Sequence, residues 1–94
     1  MAAHELKILP EYFKAQKEGK KNFEIRKNDR SYQVGDLLIL EEYDPETNNF
    51  TGRNMIVEIT YMTDYMQKEG YVVLGTKPAK LELGLKPLMA KMRV

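Results

Sequence analysis

The sequence predicts an α+β fold: a small β-barrel of about five to six short strands with one or two flanking short helices. Three observations lead there. Short apolar or alternating runs recur along the chain, each bounded by turn-forming residues. One early stretch carries helix punctuation at both ends. A length of 94 residues fits one domain and leaves no room for two.

Glu5–Leu9 alternates polar and apolar residues, as a half-buried strand does. Pro10 suits the first position of a helix, where a missing N–H costs nothing. Glu11–Glu18 then reads as a short helix, with Tyr12, Phe13 and Ala15 as its apolar contacts and Gly19 as its stop. Asn22–Lys27 is the second strand. Its period of two puts Phe23 and Ile25 on one face, expected toward the core. Glu24 and Arg26 share the other, expected outward or in a polar cleft.

Asn28–Ser31 is turn-like, and Val34-Gly35-Asp36 is a tight turn. It leads into Leu37–Leu40, an apolar run that predicts a strand buried on both sides. Glu41–Gly52 is rich in turn formers and reads as a hairpin loop. Arg53–Met62 is the next strand, with Met55, Val57, Ile59 and Tyr61 on one face. Thr63–Gly70 is a polar loop, and Tyr71–Leu74 a last core strand closed by Gly75. The domain is therefore expected to span residues 1–76. In the tail, 77–94, Leu81, Leu85, Leu88, Met89 and Met92 recur near helical spacing, interrupted by Gly84 and Pro87. One short helix starting near Pro87 is expected there, against the barrel or a partner protein.

Composition narrows the chemistry. The absence of cysteine removes disulfides, thiolate zinc sites and cysteine nucleophiles. His4 is the single histidine, which disfavours a histidine-based metal site. There is no Walker-type phosphate loop and no dinucleotide fingerprint, so no cofactor is expected. No apolar run reaches the roughly 18 residues that suggest a membrane span, and the polar start is no signal peptide. A cytoplasmic protein is expected.

Net charge is only +1 but unevenly spread. Lys14–Arg30 holds seven basic residues against three acidic, and Glu41–Glu69 seven acidic against two basic. Such asymmetry suits an anion-binding face, or simply solvated charges on unrelated faces.

The candidate site is Gly19–Arg30. Lys21 lies at the mouth of the second strand, with Glu24 and Arg26 on its polar face. Lysine binds phosphate as a point charge and arginine through a bidentate fork. Glutamate accepts hydrogen bonds from a base edge or serves as a general base. The competing reading is a surface ion pair of little energetic weight. His4 is either a packed residue or a ligand contact. Of the six tyrosines, Tyr32 and Tyr43 lie near turns and are the better candidates for stacking on a base.

Gly19-Lys20-Lys21-Asn22-Phe23-Glu24-Ile25-Arg26 resembles the signature of the ASCH domain, a member of the PUA-like superfamily. His4–Ile8, Pro10–Phe13, Glu24–Arg30, Val34–Asp36, Thr51-Gly52-Arg53 and Gly70–Gly75 together look like one small ASCH-like subfamily of bacteria and phages. The resemblance implies a β-barrel with a cleft beside the helix-to-strand junction and binding of RNA or a nucleotide-like ligand. Lys21, Glu24 and Arg26 match the signature. Lys7, Lys27, Asn28, Asp29 and Arg30 match the subfamily pattern, and His4 joins them as a candidate contact.

One ASCH branch hydrolyses acylated cytidines with a lysine, a threonine and a later glutamate. Here Lys21 matches the lysine, but Glu24 stands at the threonine. A hydrolase with Lys21 and Glu24 as catalytic groups, acting on a modified nucleoside or on RNA, is therefore the alternative. A third reading is a protein-interaction domain using the acidic stretch and the tail.

Overall fold

The computed structural model of the protein describes residues 1–79. Six elements follow in order: β1 (Ala3–Ile8), α1 (Pro10–Lys17), β2 (Phe23–Lys27), β3 (Leu37–Asp44), β4 (Asn49–Thr63) and β5 (Tyr71–Pro78). The expected tail helix near Pro87 lies outside the described residues. β5 runs to Pro78, past both Gly75 and the expected domain boundary after residue 76. No helix among the described residues is long and apolar enough to cross a membrane.

Sheet order is β1-β3-β4-β5-β2. β1 lies parallel to β3, with α1 and β2 in the intervening crossover. The pairs β3–β4, β4–β5 and β5–β2 are antiparallel. One face of this sheet carries the core. Leu6 and Ile8 of β1, Leu38 and Leu40 of β3, Val57 and Ile59 of β4, and Val72 and Leu74 of β5 meet Phe13 of α1 there.

The sheet is strongly curled. Flat, β1 and β2 would stand about 19 Å apart, four inter-strand steps of about 4.8 Å. Yet Arg26 at the β2 edge donates from Nη2 to the Lys7 carbonyl of β1 at 3.0 Å. Just past β2, Arg30 donates from Nη1 to the Glu5 carbonyl at 2.7 Å. No backbone ladder joins β1 and β2 among the described residues. The result is a half-barrel of five strands whose open seam is bridged by two arginines. They occupy alternate carbonyls on the free edge of β1, which would otherwise invite another strand.

Several elements differ from the sequence reading. β3 alternates buried and half-buried residues instead of being buried on both sides, because only its inner face meets the core. The Glu41–Gly52 loop is largely strand: β3 continues to Asp44 and β4 begins at Asn49, leaving a short turn with Asn48 at φ +57. Tyr61 is 67% exposed instead of facing the core with Val57 and Ile59. A bulge between Ile59 and Tyr61 inserts an extra residue and turns the face over, so Met62 packs against the core instead. In α1, Tyr12 is exposed, while Phe13 and Gln16 are buried.

The largest correction concerns β2. Phe23 and Ile25, expected in the core, are 41% and 52% exposed, and Glu24 is 3% exposed. Pairing supplies the reason. Glu24 lies opposite Leu74 and Arg26 opposite Val72. Directly opposed residues share a sheet face, and Leu74 and Val72 face the core. The charged pair of β2 must therefore point into the half-barrel and the apolar pair out of it.

Candidate functional site

The site is built at the junction of α1 and β2. Gly19 adopts φ +75, a left-handed conformation suited to glycine. It ends α1 in a Schellman arrangement: Lys20 N–H donates to the Ala15 carbonyl at 2.9 Å and Gly19 N–H to Gln16 at 3.1 Å. This turn reverses the chain and brings Lys21 back beside the last turn of the helix, ahead of β2.

Glu24 is the centre. Its Oε1 accepts from Arg26 Nε at 3.1 Å and Nη2 at 2.8 Å. Its Oε2 accepts from Gln16 Nε2 at 2.9 Å and Lys21 Nζ at 2.5 Å. Four donors use the roughly four acceptor positions of a carboxylate. Burial pushes the Glu24 carboxyl up, but hydrogen bonds from Lys21 and Gln16, with the charges of Lys21 and Arg26, outweigh it. The group is held below the usual carboxylate range, ionised at neutral pH. Gln16 also donates to the Phe23 carbonyl at 3.2 Å, and Lys21 to the same oxygen at 2.7 Å. Helix, turn and strand are locked together at one carboxylate.

Beside this cluster lies a groove of about 490 Å³ between α1, β2 and the end of β1. Lys7, Lys21, Glu24 and Arg26 contribute to its wall. So do Leu9, Tyr12, Phe23 and Ile25, whose side chains are 38–52% exposed. Lys21 Nζ stands 5.5 Å from the Tyr12 ring centroid and 5.1 Å from that of Phe23. The groove thus sets two accessible aromatic rings next to a fixed lysine and arginine.

Residues 3–76 match a family profile described as a domain of unknown function, DUF3850. The chain belongs to the DUF3850 family. It is also 46% identical over 72 residues to an uncharacterized 12.9 kDa protein in the GpA 3′ region of Escherichia phage P2. That match covers 76% of this chain and 64% of the phage protein, so the chain spans less than two thirds of that relative's length.

Within this DUF3850 domain the sequence candidates fall into three groups. Lys7, Lys21, Glu24 and Arg26 meet at the groove. Lys27, Asp29 and Arg30 line a smaller adjoining depression of about 170 Å³, connected through Arg26. Asn28 and His4 are elsewhere. Asn28 borders Thr63, Asp64 and Gly70, and its N–H donates to the Gly70 carbonyl at 2.8 Å. His4 Nε2 is 2.9 Å from Asp36 Oδ2, and its ring meets Tyr32 edge-on with centroids 4.9 Å apart.

The stacking candidates change places. Tyr32 is 5% exposed, and burial pushes its phenol up, so its face is not offered to a base. Tyr43 packs against Phe50 and under Lys7 Nζ, 4.2 Å from its centroid. Tyr12 and Phe23 are the rings at the groove, and sequence reasoning assigned both to packing. No signal in the sequence finds either: Phe23 is outside because Glu24 is inside, which only the pairing of Glu24 with Leu74 decides, and Tyr12 is exposed because Phe13 and Gln16 take the inner face of α1. Among the described residues, no group of three His, Asp or Glu side chains is placed to hold a metal ion.

Proposed function

We propose that this domain is a PUA-like, ASCH-type module that binds single-stranded RNA or a nucleotide-like ligand in the α1–β2 groove. The observation that carries the reading is the placement of exposed Tyr12 and Phe23 beside the Lys21–Glu24–Arg26 cluster. Stacking on aromatic rings with a cation at hand is how single-stranded nucleic acid is commonly held. A groove of about 490 Å³ also falls within the usual span for small-ligand sites, about 300–1,000 Å³.

In this reading Tyr12 and Phe23 stack on bases. Lys7, Lys27 and Arg30 supply the positive field for phosphates, and Glu24 positions Lys21 and Arg26. The four bonds at Glu24 favour this anchoring role over proton abstraction. A general base needs a free lone pair and a raised affinity for protons, and Glu24 has neither. The hydrolase alternative would have to rest on Lys21 with a different carboxylate.

The test is fluorescence anisotropy with short labelled RNA, at two salt concentrations, comparing wild type with Phe23→Ala and Lys27→Ala/Arg30→Ala. Each variant leaves Glu24 paired, and because Arg30 also bridges to the Glu5 carbonyl, a urea midpoint for the double variant separates lost phosphate contact from an opened seam. Phe23→Ala should weaken binding by about 1–3 kcal/mol, the value of one stacked base. The double variant should flatten the salt dependence, by about 0.7 in log–log slope per phosphate contact removed. Binding unaffected by either change would place RNA recognition outside this groove, and no binding by wild type at low salt would reject the reading.

A further inference from the structure

A second groove, about 860 Å³, lies on the other side of α1, against the β3–β4 hairpin. It contains Arg53 of the Thr51-Gly52-Arg53 segment, a motif that the α1–β2 groove does not use. In the β3–β4 register, Glu41 faces Asn54 and Tyr43 faces Phe50, so Glu42 alone opposes Thr51, Gly52 and Arg53. Gly52 at φ +92 allows this bulge.

The bulge serves a buried carboxylate. Glu42 is 1% exposed, and its Oε1 accepts from Thr51 Oγ1 and Arg53 Nε, both at 2.7 Å. Arg53 N–H donates to Thr51 Oγ1 at 3.2 Å, closing the loop on itself. The Arg53 side chain is nevertheless 69% exposed. Its guanidinium carbon stands 5.8 Å from the Phe13 ring centroid. Only Nε is used; the terminal Nη1 and Nη2 make no hydrogen bond among the described residues.

An arginine fixed through Nε, with its terminal fork free, is pre-organised for a planar or tetrahedral oxyanion. Lys14 and Lys17 of α1 line the same groove. Three carboxylates line it as well. Glu42 lies beneath Arg53, and Glu18 pairs with Lys20 at 3.2 Å. Glu11, and the second oxygen of Glu42, which takes no hydrogen bond among the described residues, are left to oppose an anion.

We infer that this second groove is a phosphate-binding site, with Arg53 as the directional contact and Lys14 and Lys17 as flanking charges. It is separate from the α1–β2 groove and stands whether or not that groove binds RNA. The phosphate arrives either as the free ion or as an ester on a nucleotide.

The experiment is an NMR titration of the full chain, following Arg53 Nε–H and the amides of Gly52 and Asn54. Probes are inorganic phosphate, uridine 5′-monophosphate, uridine, and acetate at matched ionic strength. Saturable shifts with either phosphate probe, absent with uridine and acetate, are expected. The tighter of the two phosphate probes identifies the source. Lys14→Ala/Lys17→Ala, which leaves Glu42 paired, should weaken binding roughly tenfold, the scale of one to two charge-assisted contacts. Glu11→Gln should strengthen it. Phe23→Ala should leave these shifts unchanged while altering RNA binding, which separates the two grooves. Shifts of equal size with acetate, or shifts that survive Lys14→Ala/Lys17→Ala and Arg53→Gln alike, would overturn the site.

Discussion

At Glu24 a single carboxylate accepts from a helix side chain, a turn lysine and a strand arginine. Such a group is expensive to disturb, because removing a charge strands its partners in a place designed for it. Glu24→Gln keeps the shape but sets an NH₂ against cationic donors. It should cost about 1–3 kcal/mol in urea unfolding, the penalty for an unsatisfied buried polar group. Glu24→Leu removes every acceptor and should cost about 3–5 kcal/mol. Phe23→Ala touches a ring that is 41% exposed and should move stability by no more than about 0.5 kcal/mol. If Phe23→Ala unfolds the protein as readily as Glu24→Leu, the ring is structural and the assignment of the inner and outer faces of β2 is wrong.

At the scale of the element, β4 depends on two irregularities, the bulge at Gly52 and the one at Tyr61. An alanine at Gly52 would hold a side chain at φ +92, where L-residues are disfavoured by about 1–2 kcal/mol. No atom lies within 4 Å of the added Cβ, so the cost is conformational. Gly52→Ala should lower stability by that amount and release Arg53 from Glu42, seen as faster solvent exchange of the Arg53 Nε–H than in wild type. These bulges could not be read in advance, because a register shift appears only once the strands are paired. The order of strand, helix and strands follows from period and punctuation, as with Leu6 and Ile8 in β1 or Pro10 and Gly19 around α1. The inner face of β2 does not. Alternation identifies two faces, and only the pairing of Glu24 with Leu74 decides which is inside. Lys21, Glu24 and Arg26 could be picked out because the Gly19–Arg26 motif is contiguous. Gln16 could not be linked to them in advance, nor Glu42 to Arg53, because those contacts depend on the helix cap and the hairpin register.

The whole molecule should be sensitive to acid for a reason that these contacts share. Asp36 accepts from Ala2 N–H at 3.0 Å, from Gln33 N–H at 3.1 Å and pairs with His4, tying the start of β1 to the entrance of β3. Hydrogen bonds from Ala2 and His4 hold its carboxyl below the usual range. Glu42 is lowered by its bonds from Arg53 and Thr51, and Glu24 is lowered despite its burial. For each of the three, the folded pKa lies below the unfolded one, so between the two values the unfolded state binds more protons than the folded state, and stability falls with pH. Their stabilisation is therefore complete above the unfolded values, near 4, and is lost as pH drops through the lower folded values. Fifteen Lys and Arg side chains then repel one another with fewer carboxylates to offset them. The urea midpoint should be flat from about pH 7 to 5 and fall steeply below about pH 4. Asp36→Asn should lower the plateau and reduce the slope of the fall, because one of the linked protons is gone, whereas an exposed control such as Asp29→Asn should leave the profile unchanged. A wild-type midpoint that stays level to pH 3 would mean that these three carboxylates do not hold the half-barrel together, and an Asp36→Asn profile parallel to wild type would remove Asp36 from the three.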